Sequence, residues 1–185
     1  MTEVVKRLGL NETYTIRKGL KRVQLYKASP VSVMPKDKNS IVGFQIELNS
    51  KEKFTLSDFT LGGEEVDDVV SGAFNDSIQT PVGSMYISTT QYFNEEYVGA
   101  SITYHQGGIV GTTDYYTKNL RAELGNQDAT IINLSIDDAS IQKAEDILNT
   151  LIEVYNEKWI QDKNQIAVST SQFISDRLGV IENEL

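Results

Sequence analysis

A single histidine, His105, stands in a chain of 185 residues that has no cysteine. A nucleophilic triad or an imidazole-based metal centre would need His105 to find acidic partners such as Asp114 or Glu123. Nothing in their spacing imposes that geometry, so His105 reads as a surface or half-buried strand residue. Without a thiol, a cysteine nucleophile and a zinc–thiolate site are excluded. The run Gln106-Gly107-Gly108-Ile109-Val110-Gly111 has the glycines of a phosphate-binding loop. It lacks the lysine and the hydroxyl that follow in such loops, and it reads as a loop or tight turn between strands rather than a strand-to-helix junction. Glu64, Glu65, Asp67 and Asp68 could in principle bind calcium or pair carboxylates for glycosidic acid/base work. They lack the spacing of a helix-loop-helix calcium loop and read as a solvated acidic segment. Tyr92, Phe93, Tyr97, Tyr115 and Tyr116 could stack on sugar rings, although tyrosine-rich strand edges usually serve packing. Arg17, Lys18, Lys21 and Arg22 form a basic patch suited to an anionic polymer or to a solvated turn. The sequence therefore nominates no catalytic, cofactor-binding or metal-ligating residue, and the reading is a non-enzymatic one.

The elements that would carry these residues follow from periodicity. Thr2 to Leu10 has apolar residues at helical steps, with Gly9 and Asn11 near its end. Strands are expected at Val23–Tyr26, Val31–Met34, Ile41–Leu48, Phe54–Leu61, Ser84–Thr89 and Ser101–Tyr104. Further strands are expected at Tyr116–Glu123 and Ala129–Ile136, joined by a hairpin turn at Gly125-Asn126-Gln127-Asp128. Glu64 to Asp76 is expected to be loop or a short helix. Strands in the middle and helices at the ends make an α+β domain: a mixed sheet with a short N-terminal helix and a long C-terminal helix.

That last helix dominates the chain. Ser140 is placed to cap it, and Ala144, Ile147, Leu148, Leu151, Tyr155 and Trp159 recur at helical steps. The stripe fails over Ile160–Gln165, which suggests a joint, a bend or a departure from the globular body. It resumes with Ile166, Phe173, Ile174, Leu178, Ile181 and Leu185, the last four at coiled-coil seam spacing. The pattern is still running at Leu185, so the expectation is a helix that continues past the last residue. From Ile141 onward it would span roughly 65–70 Å, against about 11–12 residues for an average helix. The expected organisation is one domain, with a body over 1–139 and a helix over 140–185 that packs on the body and projects from it.

Composition limits the partners. The chain carries a net charge of −9, with 39% hydrophobic and 23% charged residues; its isoelectric point is about 4.6 and its mean hydropathy −0.30. An acidic balance argues against nucleic acid or anionic lipid as the main partner. No run approaches the roughly 20 apolar residues of a membrane span, and the N-terminus has no signal-peptide core.

Two segments together carry a family resemblance. The first is Val5-Lys6-Arg7-Leu8-Gly9-Leu10-Asn11 followed by Leu25-Tyr26-Lys27-Ala28-Ser29-Pro30-Val31-Ser32-Val33. The second runs Ser140-Ile141-Gln142-Lys143-Ala144-Glu145-Asp146-Ile147-Leu148-Asn149-Thr150-Leu151-Ile152, then Tyr155-Asn156, Lys163-Asn164 and Phe173-Ile174-Ser175-Asp176-Arg177-Leu178. These resemble the periplasmic region of polysaccharide co-polymerases, the chain-length determinant (Wzz) family, in the branch joined to a cytoplasmic tyrosine kinase (Wzc-like). The order of elements agrees over nearly the whole chain; the motifs are specific only at its two ends. The resemblance implies a parent protein with inner-membrane spans upstream and downstream of this chain. It implies a periplasmic location and side-by-side assembly into a homo-oligomeric ring. It also implies a membrane polysaccharide polymerase as partner, possible contact with the polysaccharide itself, no nucleic acid and no cofactor. Such a ring regulates the length or export of capsular, exo- or O-antigen polysaccharide, and any kinase chemistry resides in a separate domain. Interfaces are expected on the helix flank of Tyr155, Trp159, Ile166 and Phe173 and on the exposed sheet edges. The alternative is an extracellular glycan-binding adhesion or scaffold module using the tyrosines between Tyr92 and Tyr116.

Overall fold

A computed structural model describes residues 1–19, 21–125 and 131–184. The expected turn at Asn126–Asp128, the start of the expected strand at Ala129 and the final Leu185 lie outside the described residues. Helix α1 (Thr2–Leu8) ends where Gly9 takes the left-handed conformation at φ 60°, its N–H bonding back to the last turn. Strands β1 (Glu12–Lys18) and β2 (Lys21–Gln24) form a hairpin, and a 3-10 turn at Tyr26–Ala28 leads into β3 (Val31–Pro35). There follow β4 (Val42–Leu48), β5 (Lys53–Leu61), β6 (Glu64–Val66), β7 (Val70–Ala73), β8 (Asp76–Thr80), β9 (Gly83–Thr89) and β10 (Ser101–Gln106). Helix α2 (Ile109–Asn119), the hairpin of β11 (Leu120–Leu124) and β12 (Ile132–Ile136), and helix α3 (Ile141–Glu184) complete the chain.

The fold is α+β, as expected, with the strands distributed over three sheets. The largest runs β2-β1-β10-β4-β5-β6, with β7 pairing the other half of β5; the others are β3-β9-β8 and β11-β12. Every pairing is antiparallel. Strand β10 alternates exposed and buried residues along its whole length, whereas central β4 is buried at nearly every position. The inward residues of the first two sheets meet in one core: Val31 and Val33, Phe44 and Ile46, Phe54 and Leu56, Ile87, Ile102 and Tyr104. Tyr14 reaches across from β1, its hydroxyl accepting from the N–H of Val33 at 2.9 Å. Burial pushes that phenol up to about 12. Register in the large sheet shifts between Gly43 and Gln45, opposite Asp58, which sits at φ 52°. A Cβ at 43 would lie 2.6 Å from the Thr60 hydroxyl oxygen, so a larger residue there requires the Thr60 side chain to move.

Three expectations need correction. Residues 116–119 complete α2 rather than open a strand, and the strand starts only at Leu120. Residues 64–76 are loop only at 67–69 and a turn at 74–75; β6 and β7 occupy most of the rest and cover the outer side of β5. Residues 160–165 do not interrupt α3, which is one continuous helix of 44 residues, about 66 Å long. Of the three readings of that stretch, departure from the globular body is the one that holds, since every side chain there is exposed.

Candidate functional site

The residues with reactive side chains do not converge. His105 is exposed on β10, between Thr13 of β1 and Gly43 of β4. No hydrogen bond or ion pair joins it to Asp114 or Glu123 among the described residues. Contrary to the sequence reading, Gly107 and Gly108 do link a strand to a helix start, because Gly108 is the residue before α2. The junction is nevertheless occupied by the chain itself. Gly107 donates to the Asn11 carbonyl at 2.7 Å, and the Thr112 hydroxyl donates to the Gly108 carbonyl at 3.0 Å. Among the acidic residues, Glu65 and Asp67 border an open depression of about 460 Å³ with Asp58, whose carboxylate accepts from the Gln45 amide. Among the described residues, no three His, Asp or Glu side chains are placed to hold a metal ion.

The aromatic residues divide between two cores. Phe93 and Tyr97 pack on the sheet core, while Tyr116 is buried among the helices. Tyr115 remains exposed, edge-on to Tyr116 at 5.1 Å, and Tyr92 is exposed elsewhere. They do not form one stacking surface. Arg17, Lys21 and Arg22 are exposed on the β1–β2 hairpin, in no ion pair among the described residues.

What the structure builds with care is the root of α3. Ser140 caps it as expected, its hydroxyl accepting from the Lys143 N–H at 3.3 Å. The buried stripe then runs Lys143, Ile147, Thr150 and Val154, at steps of four, three and four. Ile147 and Val154 join Val4, Val5, Leu10 and Tyr116 in a second core formed by the three helices. At its edge Lys143 is only 6% exposed. Its ammonium lies 2.9 Å from Asp138 Oδ2 and 2.9 Å from Gln24 Oε1, and 5.9 Å from the centre of the Tyr116 ring. Desolvation works to lower the lysine's pKa, but the Asp138 carboxylate and the Tyr116 hydroxyl outweigh it and hold the pKa above its usual value. One helical turn on, Asp146 accepts from the Tyr26 hydroxyl at 2.9 Å and pairs with Lys27 at 2.7 Å. The Lys27 hydrogen bond draws the Asp146 pKa below its ordinary value. Arg7 of α1 closes the joint with a two-pronged contact to Glu157, at 2.9 and 2.6 Å.

Beyond this clamp α3 leaves the body. Every described side chain from Tyr155 to Leu178 is exposed, including Trp159 at 54%, Ile166 at 61% and Phe173 at 66%. The four flank residues named from the sequence are thus all on open surface. Ile181 belongs to the terminal segment whose side chains lie outside the described residues. Sequence reasoning missed Lys143, a charged residue in phase with the buried stripe, and Asp138, which precedes the helix. It also missed Gln106, a fully buried amide that donates to the carbonyls of Asp37 and Ser40 at 3.2 and 2.6 Å. A polar residue in phase with the strand's inward face, as Gln106 is after Ile102 and Tyr104, was the signal available. In comparisons with known proteins, no family model matches the chain and no curated protein matches it.

Proposed function

We propose that this chain is the periplasmic domain of an inner-membrane polysaccharide co-polymerase, which oligomerises to regulate the chain length or export of a capsular, exo- or O-antigen polysaccharide. The role is geometric rather than catalytic. The observation that supports it best is the form of α3, a helix clamped at its root by ion pairs and a buried core, and bare beyond it. A helix held rigidly at one end sets a fixed distance and direction. Its second half exposes Trp159, Ile160, Ile166, Val168, Phe173, Ile174 and Leu178, and large apolar side chains gathered on one exposed element suit an interaction surface. The glycan-binding module gains no comparable support, since Tyr97 and Tyr116 pack into two different cores and the exposed Tyr92 and Tyr115 do not share a surface with them.

The test is genetic and physical. In the source bacterium, the parent gene is replaced by a version lacking residues 158–178, and the surface polysaccharide is sized on a gel. A collapsed or scattered length distribution with unchanged sugar composition is the expected result. An unaltered profile refutes chain-length control.

A further inference from the structure

The strands at the two ends of the path β2-β1-β10-β4-β5-β6 carry opposite charge. At one end β2 and its hairpin partner place Arg17 opposite Arg22 and Lys18 opposite Lys21. Like charges directly across a strand pair destabilise it. Four of the chain's 17 cationic residues fall within these six positions, in a protein whose net charge is −9. At the other end β6 presents Glu64 and Glu65, followed at once by Asp67 and Asp68, all four exposed. Among the described residues, neither β2 nor β6 has a second partner strand.

Charge at a sheet edge commonly prevents edge-to-edge association. That device works when both edges bear the same sign, because every copy then repels every other. Here the signs are opposite, so a copy's basic edge is attracted to the next copy's acidic edge. Strand direction agrees. The path β2-β1-β10-β4-β5-β6 has an even number of strands and only antiparallel neighbours, so β2 and β6 run in opposite directions. A second copy set beside the first in the same orientation therefore brings its β2 antiparallel to β6, the more stable way for strands to pair. The faces also agree. Val23 shares the inward face with buried Ile16, and Val66 shares it with buried Phe59. Glu65 and Arg22 both lie on the outer face, so among the pairings that keep the inward face continuous is one that sets Glu65 opposite Arg22 of the second copy, the register that charge favours.

We infer that β6 of one copy binds β2 of the next, so that copies of this chain associate head to tail into one continuous antiparallel sheet. Such a contact uses two different patches and closes into a ring or extends as a filament. The inference rests on the homo-oligomeric reading above and names the surface by which copies meet.

Sedimentation equilibrium of the whole chain at low salt, up to about 1 mM, tests it with two paired variants. Arg17→Glu with Arg22→Glu, or Glu64→Lys with Glu65→Lys, should each weaken self-association by about tenfold or more, because like charges then meet. The chain carrying all four substitutions should regain it. That recovery also shows that the fold tolerates each pair. High salt should weaken the wild-type association, as screening shortens the reach of charge to less than about 10 Å. Self-association indifferent to either pair, loss without recovery in the fourfold variant, or a monomer at every concentration overturns the edge contact. None of these results touches chain-length control, which is read independently on the polysaccharide gel.

Discussion

The two halves of α3 carry similar side chains and meet opposite surroundings. In the first, Ile147 and Val154 are buried between α1 and α2, and Leu148 and Leu151 are half-buried beside them. In the second, Ile160, Ile166, Val168, Phe173, Ile174 and Leu178 are all exposed. Apolar periodicity alone does not separate them. What separates them is a wall: α1 reaches along α3 only as far as the Arg7–Glu157 pair, and Tyr116 of α2 packs nearer the root. An apolar stripe states that a helix can be covered, and only a neighbour of the right length decides whether it is.

The sharpest way to break this contrast is at Lys143. Lys143→Ala leaves Asp138 as a buried, unpaired carboxylate and should cost about 3–5 kcal/mol, measured by urea unfolding. Ile147→Ala should cost about 2–5 kcal/mol through its cavity, whereas Ile166→Ala or Phe173→Ala should change stability by no more than about 0.5 kcal/mol. An outer-half substitution as costly as Ile147→Ala would show that the second half is covered after all.

Solution pH should loosen the root from both sides. The Asp146 pKa is lowered in the folded chain, so its contribution is present above its ordinary value of 3.8 and is lost as pH falls through the lower folded value. The Lys143 pKa is raised, so its contribution is complete below its ordinary value of 10.5 and fades as pH rises through the folded value. Melting temperature against pH should therefore fall at both extremes. Lys143→Met should remove the alkaline limb that Lys143 contributes, and Asp146→Asn should remove the acidic limb that Asp146 contributes. Hydrogen exchange should be slow for amides of residues 145–157 and progressively faster beyond, reporting local opening. A small effect is also expected at Arg7→Ala, because its pair with Glu157 is exposed and screened by solvent: global stability should barely change, with faster exchange confined to Val154–Trp159.

Much of this architecture was legible. Alternation marked β4, β5, β9 and β10, Gly9 marked the end of α1, and Ser140 marked the start of α3. Helix α2 was not legible, because Ile109-Val110-Gly111-Thr112-Thr113 and Tyr115-Tyr116-Thr117 are poor helix formers. Burial of Tyr116 against α1 and α3 overrides that preference. Strands β6 and β7 were hidden for a different reason. Their acidic and small residues have low strand propensity, and they extend because β5 offers them an edge.

By itself, then, the sequence determined that the chain is α+β, acidic and cysteine-free, and that it ends in a long helix capped at Ser140. Those properties reside in composition and short-range periodicity, which act within a few residues. Tertiary structure alone decided which half of α3 is covered, that Lys143 and Asp138 form its buried ion pair, and that the basic and acidic strands occupy opposite edges of one sheet. Lys143 and Asp138 are near in sequence, but the burial of their pair, like the cover on α3, depends on Gln24 and on α1, more than 100 positions away, and the edges depend on strand order; local pattern encodes neither.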